Sequence, residues 1–311
     1  MIIAFWSGVF ILSLLLLIKG SDWLLESSEK IGLKIGISPF IVGATIVAVS
    51  TSLPELVSSI FSVFSGLNEF PVANAVGSNI ANILLIIGLS TLFAKKLQVA
   101  KDLIDLDLPM LFVTTSIFLL VAYDGTIYFY ESLFLLITYV IYLGFSLIYK
   151  TEEDEEKVKI PKITTIDILK LIVGSIGLAV GAKYLVDSVI AISESGIVPI
   201  SAGVITITAV AVGTSLPEVF VSVKAAMKRK SEVALGNILG SNIFNVLVVV
   251  GLPGMFGFLT VDKTTLTIGL PVLLLATVLF IVSGISRRIH IQEGVMFLLI
   301  YVIFTLKLFG F

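Results

Sequence analysis

Ten apolar runs, each near the length that crosses a bilayer, limit this chain to a small set of folds. They fall at 2–18, 35–65, 70–94, 108–122, 126–149, 163–190, 196–223, 233–258, 264–286 and 291–310. About 20 residues of helix cross the roughly 30 Å of hydrocarbon. No water is available there to satisfy backbone groups, so spanning segments are helices or strands of closed barrels. These runs are too long and too continuously apolar for barrel strands, and the expectation is an all-α polytopic membrane protein with ten transmembrane helices. The composition agrees: 57% of residues are hydrophobic and 14% charged, with a mean hydropathy of +1.12, far from the soluble balance.

The first run has no basic residue ahead of it and no small-residue cleavage site after it, so it is expected to be a retained span rather than a signal peptide. The chain has no cysteine, which excludes disulfides, thiolate metal sites and thiol catalysis. Charge placement gives the orientation. Loops after odd-numbered spans hold Lys30, Lys34, Lys95, Lys96, Lys101, Lys150, Lys157, Lys159, Lys162, Lys224, Lys228, Arg229, Lys230, Arg287 and Arg288, whereas the other side holds little beyond Lys263 and Lys307. By the positive-inside rule the odd loops face the cytoplasm and both termini face outward.

The two halves of the chain are related. Adding 163 to Thr45, Val47, Ala48, Thr51, Ser52, Leu53, Pro54 and Glu55 reaches identical residues at 208, 210, 211 and 214–218. The same offset carries Asn74, Gly77, Ser78, Asn79, Ile80, Asn82, Leu84 and Gly88 onto Asn237, Gly240, Ser241, Asn242, Ile243, Asn245, Leu247 and Gly251. Each copy holds five spans, an odd number, so the second copy enters from the other face: two inverted five-helix repeats. Substrate sites in such proteins lie near the midplane, on interrupted helices between the copies. The expected organisation is a first repeat at 1–150, a charged cytoplasmic linker at 151–162 and a second repeat at 163–311, forming one transport unit. The linker's acidic run lacks the alternating ligands and turn glycine of a calcium loop and reads as a solvated connection.

Within this apolar background Glu55 and Glu218 stand out. No charged residue lies between Lys34 and Glu55 or between Glu194 and Glu218. A carboxylate near the bilayer centre is disfavoured by about 2.5–3.5 kcal/mol and usually marks an ion pathway. Pro54 and Pro217 each remove one helical N–H, which is expected to free the carbonyls of Ser50 and Gly213 and to disturb those of Thr51 and Thr214. Carboxylates beside free carbonyls suit a hard cation: calcium takes about six to eight oxygens, and sodium, of similar radius, can use many of the same atoms. Ser78 and Asn82, like Ser241 and Asn245, lie four apart and share a helical face. Asn82 and Asn245 are expected to be ligands, while Asn79 and Asn242 fit helix–helix hydrogen bonding as well as they fit ligation.

At these residues the chain resembles the cation/calcium antiporter superfamily, specifically the prokaryotic sodium/calcium exchangers. The family's G-T-S-L-P-E and G-N-x-x-G-S-N motifs appear as STSLPE and ANAVGSN at 50–55 and 73–79, and as GTSLPE and GNILGSN at 213–218 and 236–242. The resemblance implies exchange of sodium for calcium with no separate cofactor. Glu55 and Glu218 would be shared carboxylates, with Thr51, Ser52, Thr214 and Ser215 supplying backbone or hydroxyl oxygens. Ala48 and Ala211 would offer carbonyls to sodium, helped by Ser78 and Ser241, and Asn82 and Asn245 would line the middle. Two departures matter: Ser50 replaces the usual glycine, and Asn245 stands where some relatives carry aspartate, which weakens the case for potassium co-transport.

Other classes fare less well. A calcium/proton antiporter is the nearest rival, since buried glutamates can carry protons. An intramembrane protease would need a nucleophile–base pair or two aspartates; the lone His290 lies near the last span, and Tyr123-Asp124 lacks a Gly-x-Gly-Asp partner. A non-transporting scaffold would leave the paired glutamates without a role. The expected partners are calcium and sodium ions and the bilayer, with no nucleic acid and no obligate protein. The expected location is a prokaryotic cytoplasmic membrane, given the compact size and the missing regulatory domain.

Overall fold

The structure is a computed structural model that describes residues 2–100, 103–148, 163–194 and 213–308. Among the described residues ten helices are numbered in chain order: α1 (Ile2–Ile35), α2 (Pro39–Phe64), α3 (Phe70–Ala94), α4 (Leu103–Ala122), α5 (Phe129–Ile148), α6 (Thr165–Glu194), α7 (Leu216–Met227), α8 (Ser231–Gly254), α9 (Thr265–Ile285) and α10 (Ile291–Leu308). Among the described residues nine helices are long and apolar enough to cross a membrane. The tenth, α7, is the described end of the seventh run. The linker at 151–162 and Ala211 lie outside the described residues.

The main departure from the apolar pattern is α1. The run ends at 18, but the helix continues to Ile35, about 51 Å at 1.5 Å per residue. Hydropathy stops early because the second half carries charges, and those charges find partners. Lys30 and Asp167 pair at 2.6 Å, Asp22 holds both Lys224 (2.7 Å) and Lys228 (2.8 Å), and Glu29 pairs with Lys230. Lys30 and Lys34 therefore sit on α1, and Lys224 on α7, rather than in loops. A helix of this length exceeds the hydrocarbon thickness and has to tilt.

α1 runs antiparallel to α6, and glycines set their separation. A Cβ on Gly20 would lie 2.9 Å from the Gly174 carbonyl oxygen, and one on Gly174 would lie 2.9 Å from that of Gly20. Leu17, Leu24 and Leu178 fill the seam, while Ile11, Leu12, Leu15, Ile168, Leu169 and Ile172 stay exposed, as lipid-facing residues should. The centre is α8, buried along its span. It packs tightly on the start of α2, where a Cβ on Gly236 would meet the Phe40 carbonyl at 2.3 Å and one on Gly240 that of Ala44 at 2.2 Å.

Two short strand pairs mark the faces of the bundle and display the inverted repeat. β1 (Lys96–Gln98) pairs antiparallel with β4 (Arg288–His290), and β2 (Thr126–Ile127) with β3 (Leu259–Thr260). The offset of 163 carries β1 onto β3 and β2 onto β4, so one ladder is the repeat image of the other. The first ladder joins the loops after α3 and α9. The second joins those after α4 and α8, with Thr260 N–H donating to Asn68 in the loop after α2. Odd and even loops thus gather at opposite ends, as an alternating ten-helix topology requires.

Among the described residues five spans contain a π-helical turn that the sequence pattern did not predict: Gly43–Val47, Ala81–Ile86, Leu103–Asp107, Asn245–Val249 and Thr265–Gly269. The second and fourth match under the repeat offset, as do the third and fifth, to within a residue. Such turns widen the helix locally and are frequent at functional sites.

Candidate cation site at the centre of the bundle

Glu55 lies in the middle of α2 and Glu218 in the first turn of α7; both are essentially fully buried. The two prolines behave differently. Pro54 sits inside a continuous helical stretch, Ala48–Phe64, as expected. Pro217 does not: it occupies the first turn of α7, where proline's missing N–H costs little. A turn at 214–215 lies just before it. The interruption predicted from Pro217 is therefore a helix start, with the N-terminal end of α7 directed at the site.

The halves meet through these residues. Ser52 Oγ donates to Glu218 Oε1 at 2.8 Å. The Thr51 hydroxyl lies 3.2 Å from both the Ala48 carbonyl and Asn237 Oδ1, so its single proton serves one at a time. Asn237 is itself oriented by Nδ2 donating to Ser222 Oγ at 2.8 Å. The repeat counterpart is present: Asn74 Nδ2 donates to Ser59 Oγ (3.2 Å) and to the Glu55 carbonyl (3.4 Å).

α3 and α8 close the site from the sides. Asn79 Nδ2 donates to the Asn242 carbonyl at 2.9 Å, and Asn245 Nδ2 donates to Asn79 Oδ1 at 3.0 Å. Asn79 therefore spends both ends of its amide on helix–helix bonds, the packing alternative. Asn242 bonds the Ile238 carbonyl through Nδ2 (2.6 Å), leaving Oδ1 without a partner. Asn82 and Asn245 each sit at the start of a π-turn.

The remaining valences identify what the site can hold. Among the described residues, both Glu55 carboxylate oxygens, Glu218 Oε2, both polar atoms of Asn82, the hydroxyls of Ser215 and Ser241, and Oδ1 of Asn242 and Asn245 are buried with no hydrogen-bond partner. Elsewhere only single hydroxyls are in that state. An unpaired buried polar group costs about 1–3 kcal/mol, more when charged, and neither glutamate makes an ion pair among the described residues. These orphaned atoms are mainly hard oxygen acceptors, the donor set of calcium or sodium. No cluster of three or more His, Cys, Asp or Glu side chains occurs among the described residues, so amides, hydroxyls and carbonyls have to complete any shell.

Of the residues picked from the sequence, Glu55, Glu218, Thr51, Ser52, Ser215, Ser78, Ser241, Asn82, Asn245 and Ala48 are buried. Thr214 is half-buried and lines a cavity of about 380 Å³ with Pro54, Ser58, Ala182, Lys183 and Asp187. The motif reading overlooked Ser59, Ser222, Asn74 and Asn237 as site residues, although all four obey the 163 offset. It also passed over Asp187, a carboxylate on the cavity wall that no repeated motif marks.

The sodium/calcium exchanger protein family model matches residues 5–148 and 166–310. The chain is 31% identical to the sodium/calcium exchanger MaX1 of Methanosarcina acetivorans over 97% of each chain, and 33% identical to an uncharacterized membrane protein of Methanocaldococcus jannaschii over 95% of each. Its fold superimposes on a solved structure of the sodium-calcium exchanger NCX_Mj with a TM-score of 0.84 at 30% identity, covering 98% of this chain and 99% of that one.

Proposed function

This chain belongs to the sodium/calcium exchanger protein family, and we propose from that premise that Glu55 and Glu218 form the pocket through which it exchanges sodium for calcium by alternating access. The observation that carries the site assignment is the buried cluster of unpartnered carboxylate and amide atoms shared by the two repeats.

In this reading the two carboxylates supply a charge of −2 to the pocket. One calcium ion neutralises it, whereas about three sodium ions leave it at +1, so a cycle moves net charge across the membrane. Ser52 orients Glu218, and Asn237 and Ser222 hold the Thr51 hydroxyl. When a cation takes the Ala48 carbonyl, the Thr51 proton has Asn237 Oδ1 as its alternative acceptor. Asn245 is an amide, so the core keeps two ionisable oxygen pairs rather than three. With the pocket empty, two unneutralised carboxylates make closure over it unfavourable, which enforces exchange over leak.

α1 and α6 form the moving gate against α2, α3, α7 and α8, and the two repeats, 1–150 and 163–311, work as one unit. Two features support a state open toward the even loops. The cavity at Thr214 lies on the even-loop half of α2 and α6. On the odd-loop half, Asp22 and Glu29 of α1 are tied to Lys224, Lys228 and Lys230 at the end of α7. The lysine bias places the odd loops in the cytoplasm and both termini outside.

The test is calcium titration of the purified full chain by calorimetry, with and without sodium. Saturable calcium binding that sodium displaces, and that Glu55→Gln and Glu218→Gln each abolish while the variants remain folded, is the expected result. Calcium binding unchanged in both variants would overturn the site assignment.

A further inference from the structure

Among the described residues only three that are not glycine have positive φ, and all are basic: Lys95 (68°), Arg229 (62°) and Arg287 (60°). They follow α3, α7 and α9 on the odd-loop face. Glycine normally takes this left-handed position after a helix, because any side chain is strained there. Gly66 (φ 76°) and Gly125 (φ 86°) take it on the even-loop face and Gly36 (φ 75°) after α1 on the odd-loop face; Gly66 is the repeat counterpart of Arg229, and Gly125 falls one residue from that of Arg287. At the matched pair Gly66 and Arg229 the odd-loop face therefore accepts a strain that the even-loop face avoids, which calls for a role for the side chain.

Arg229, Arg287 and Arg288 line one pocket of about 590 Å³ together with Lys230. Its backbone is fixed. Arg288 stands opposite Gln98 in the β1–β4 ladder, and Val99 N–H donates to the Arg287 carbonyl at 2.9 Å. Arg229 N–H bonds the Ala226 carbonyl and Lys230 N–H that of Ala225, both at 2.9 Å. Two carboxylates also line the pocket, Glu29 and Glu232. Glu29 is paired with Lys230, whereas Arg229, Arg287 and Arg288 make no ion pair among the described residues.

We propose that this pocket binds a phosphate group, supplied by an anionic phospholipid head group or by phosphate in solution. Guanidinium forks match phosphate oxygens in bidentate geometry, and basic pockets between transmembrane helices bind anionic head groups. A bound phosphate bridges the end of α7 to the α9–β4 turn and fixes the odd-loop face beside the Asp22 and Glu29 ion pairs.

The experiment is thermal unfolding of the purified full chain in detergent, with added phosphatidylglycerol, phosphatidylcholine or inorganic phosphate, since a ligand of the folded state raises Tm with its concentration. Arg229→Gly and Arg287→Gly suit the test because glycine is at ease at positive φ, so loss of charge is separated from loss of fold. Phosphatidylglycerol is expected to raise Tm in the wild type and in Lys263→Gln, a control on the even-loop face, and to act at least tenfold more weakly on the two glycine variants. An equal effect of inorganic phosphate identifies solution phosphate as the source. The proposal is overturned if neither compound protects the wild type, or if the glycine variants are protected as well as the wild type. The readout is stability, so the outcome is independent of the exchange reaction.

Discussion

At the scale of single residues, what distinguishes the bundle centre is buried oxygens with nothing to bind. Glu218→Gln keeps the shape and the Ser52 contact but removes a charge, and it is expected to abolish calcium-dependent transport without a comparable loss of Tm. Asn237→Ala leaves every oxygen of Glu55 and Glu218 in place and removes the group that orients Thr51. Losing a group that holds a ligand in place costs about 10–100-fold in ion affinity, so calorimetry on Asn237→Ala should report weaker binding with retained stoichiometry, and full wild-type affinity would remove Asn237 from the site. Much of this was legible in the sequence. The glutamates announce themselves as charges in apolar runs, and Asn82 and Asn245 by their repeat. The division of labour among the asparagines was not legible: Asn79 and Asn242 are identical in sequence context, and only their opposite positions across the α3–α8 contact make one a full helix–helix bridge and leave the other with a free oxygen.

At the scale of elements, close backbone approach and ion pairs set what can move. Gly240→Val would place a Cβ 2.2 Å from the Ala44 carbonyl, with backbone on both sides of the clash. Overpacking of this type costs about 1–3 kcal/mol or more, and thermal unfolding should show a clear drop in Tm. Asp22→Asn should act differently, since it releases Lys224 and Lys228 from α1 without adding volume. It is expected to favour opening toward the odd-loop face and so reduce modification of a cysteine at position 58, on the cavity wall, by a reagent added from the even-loop side. The chain has no native cysteine to confuse that assay; unchanged modification would remove the ion pairs from the gate. Span number and the inverted repeat followed from the sequence because bilayer thickness and an odd span count leave few alternatives. The length of α1 did not, because its second half carries charges that a hydropathy window counts against a span and that find their partners on α6 and at the end of α7. The π-turns did not either, since no residue pattern distinguishes Asn245–Val249 from an ordinary helical turn.

At the scale of the whole molecule, the two strand ladders, the paired asparagines of α3 and α8, and the matched serine–asparagine pairs on α2–α3 and α7–α8 all obey one offset, so a single pseudo-twofold relates the halves through the site. Under the proposed exchange of about three sodium ions for one calcium through a pocket of charge −2, exchange is voltage-sensitive, at about 2.3 kcal/mol per charge per 100 mV. An imposed potential, positive on the side that receives the sodium, should slow the export of calcium from that side; indifference to potential would contradict the charge arithmetic. The most direct test of the central claim is calcium-45 uptake into proteoliposomes loaded with sodium, potassium or protons, for the wild type and Glu218→Gln. The account predicts uptake by the wild type that requires internal sodium and is absent in the variant. Uptake driven by a pH gradient without sodium, or uptake that survives Glu218→Gln, would contradict it.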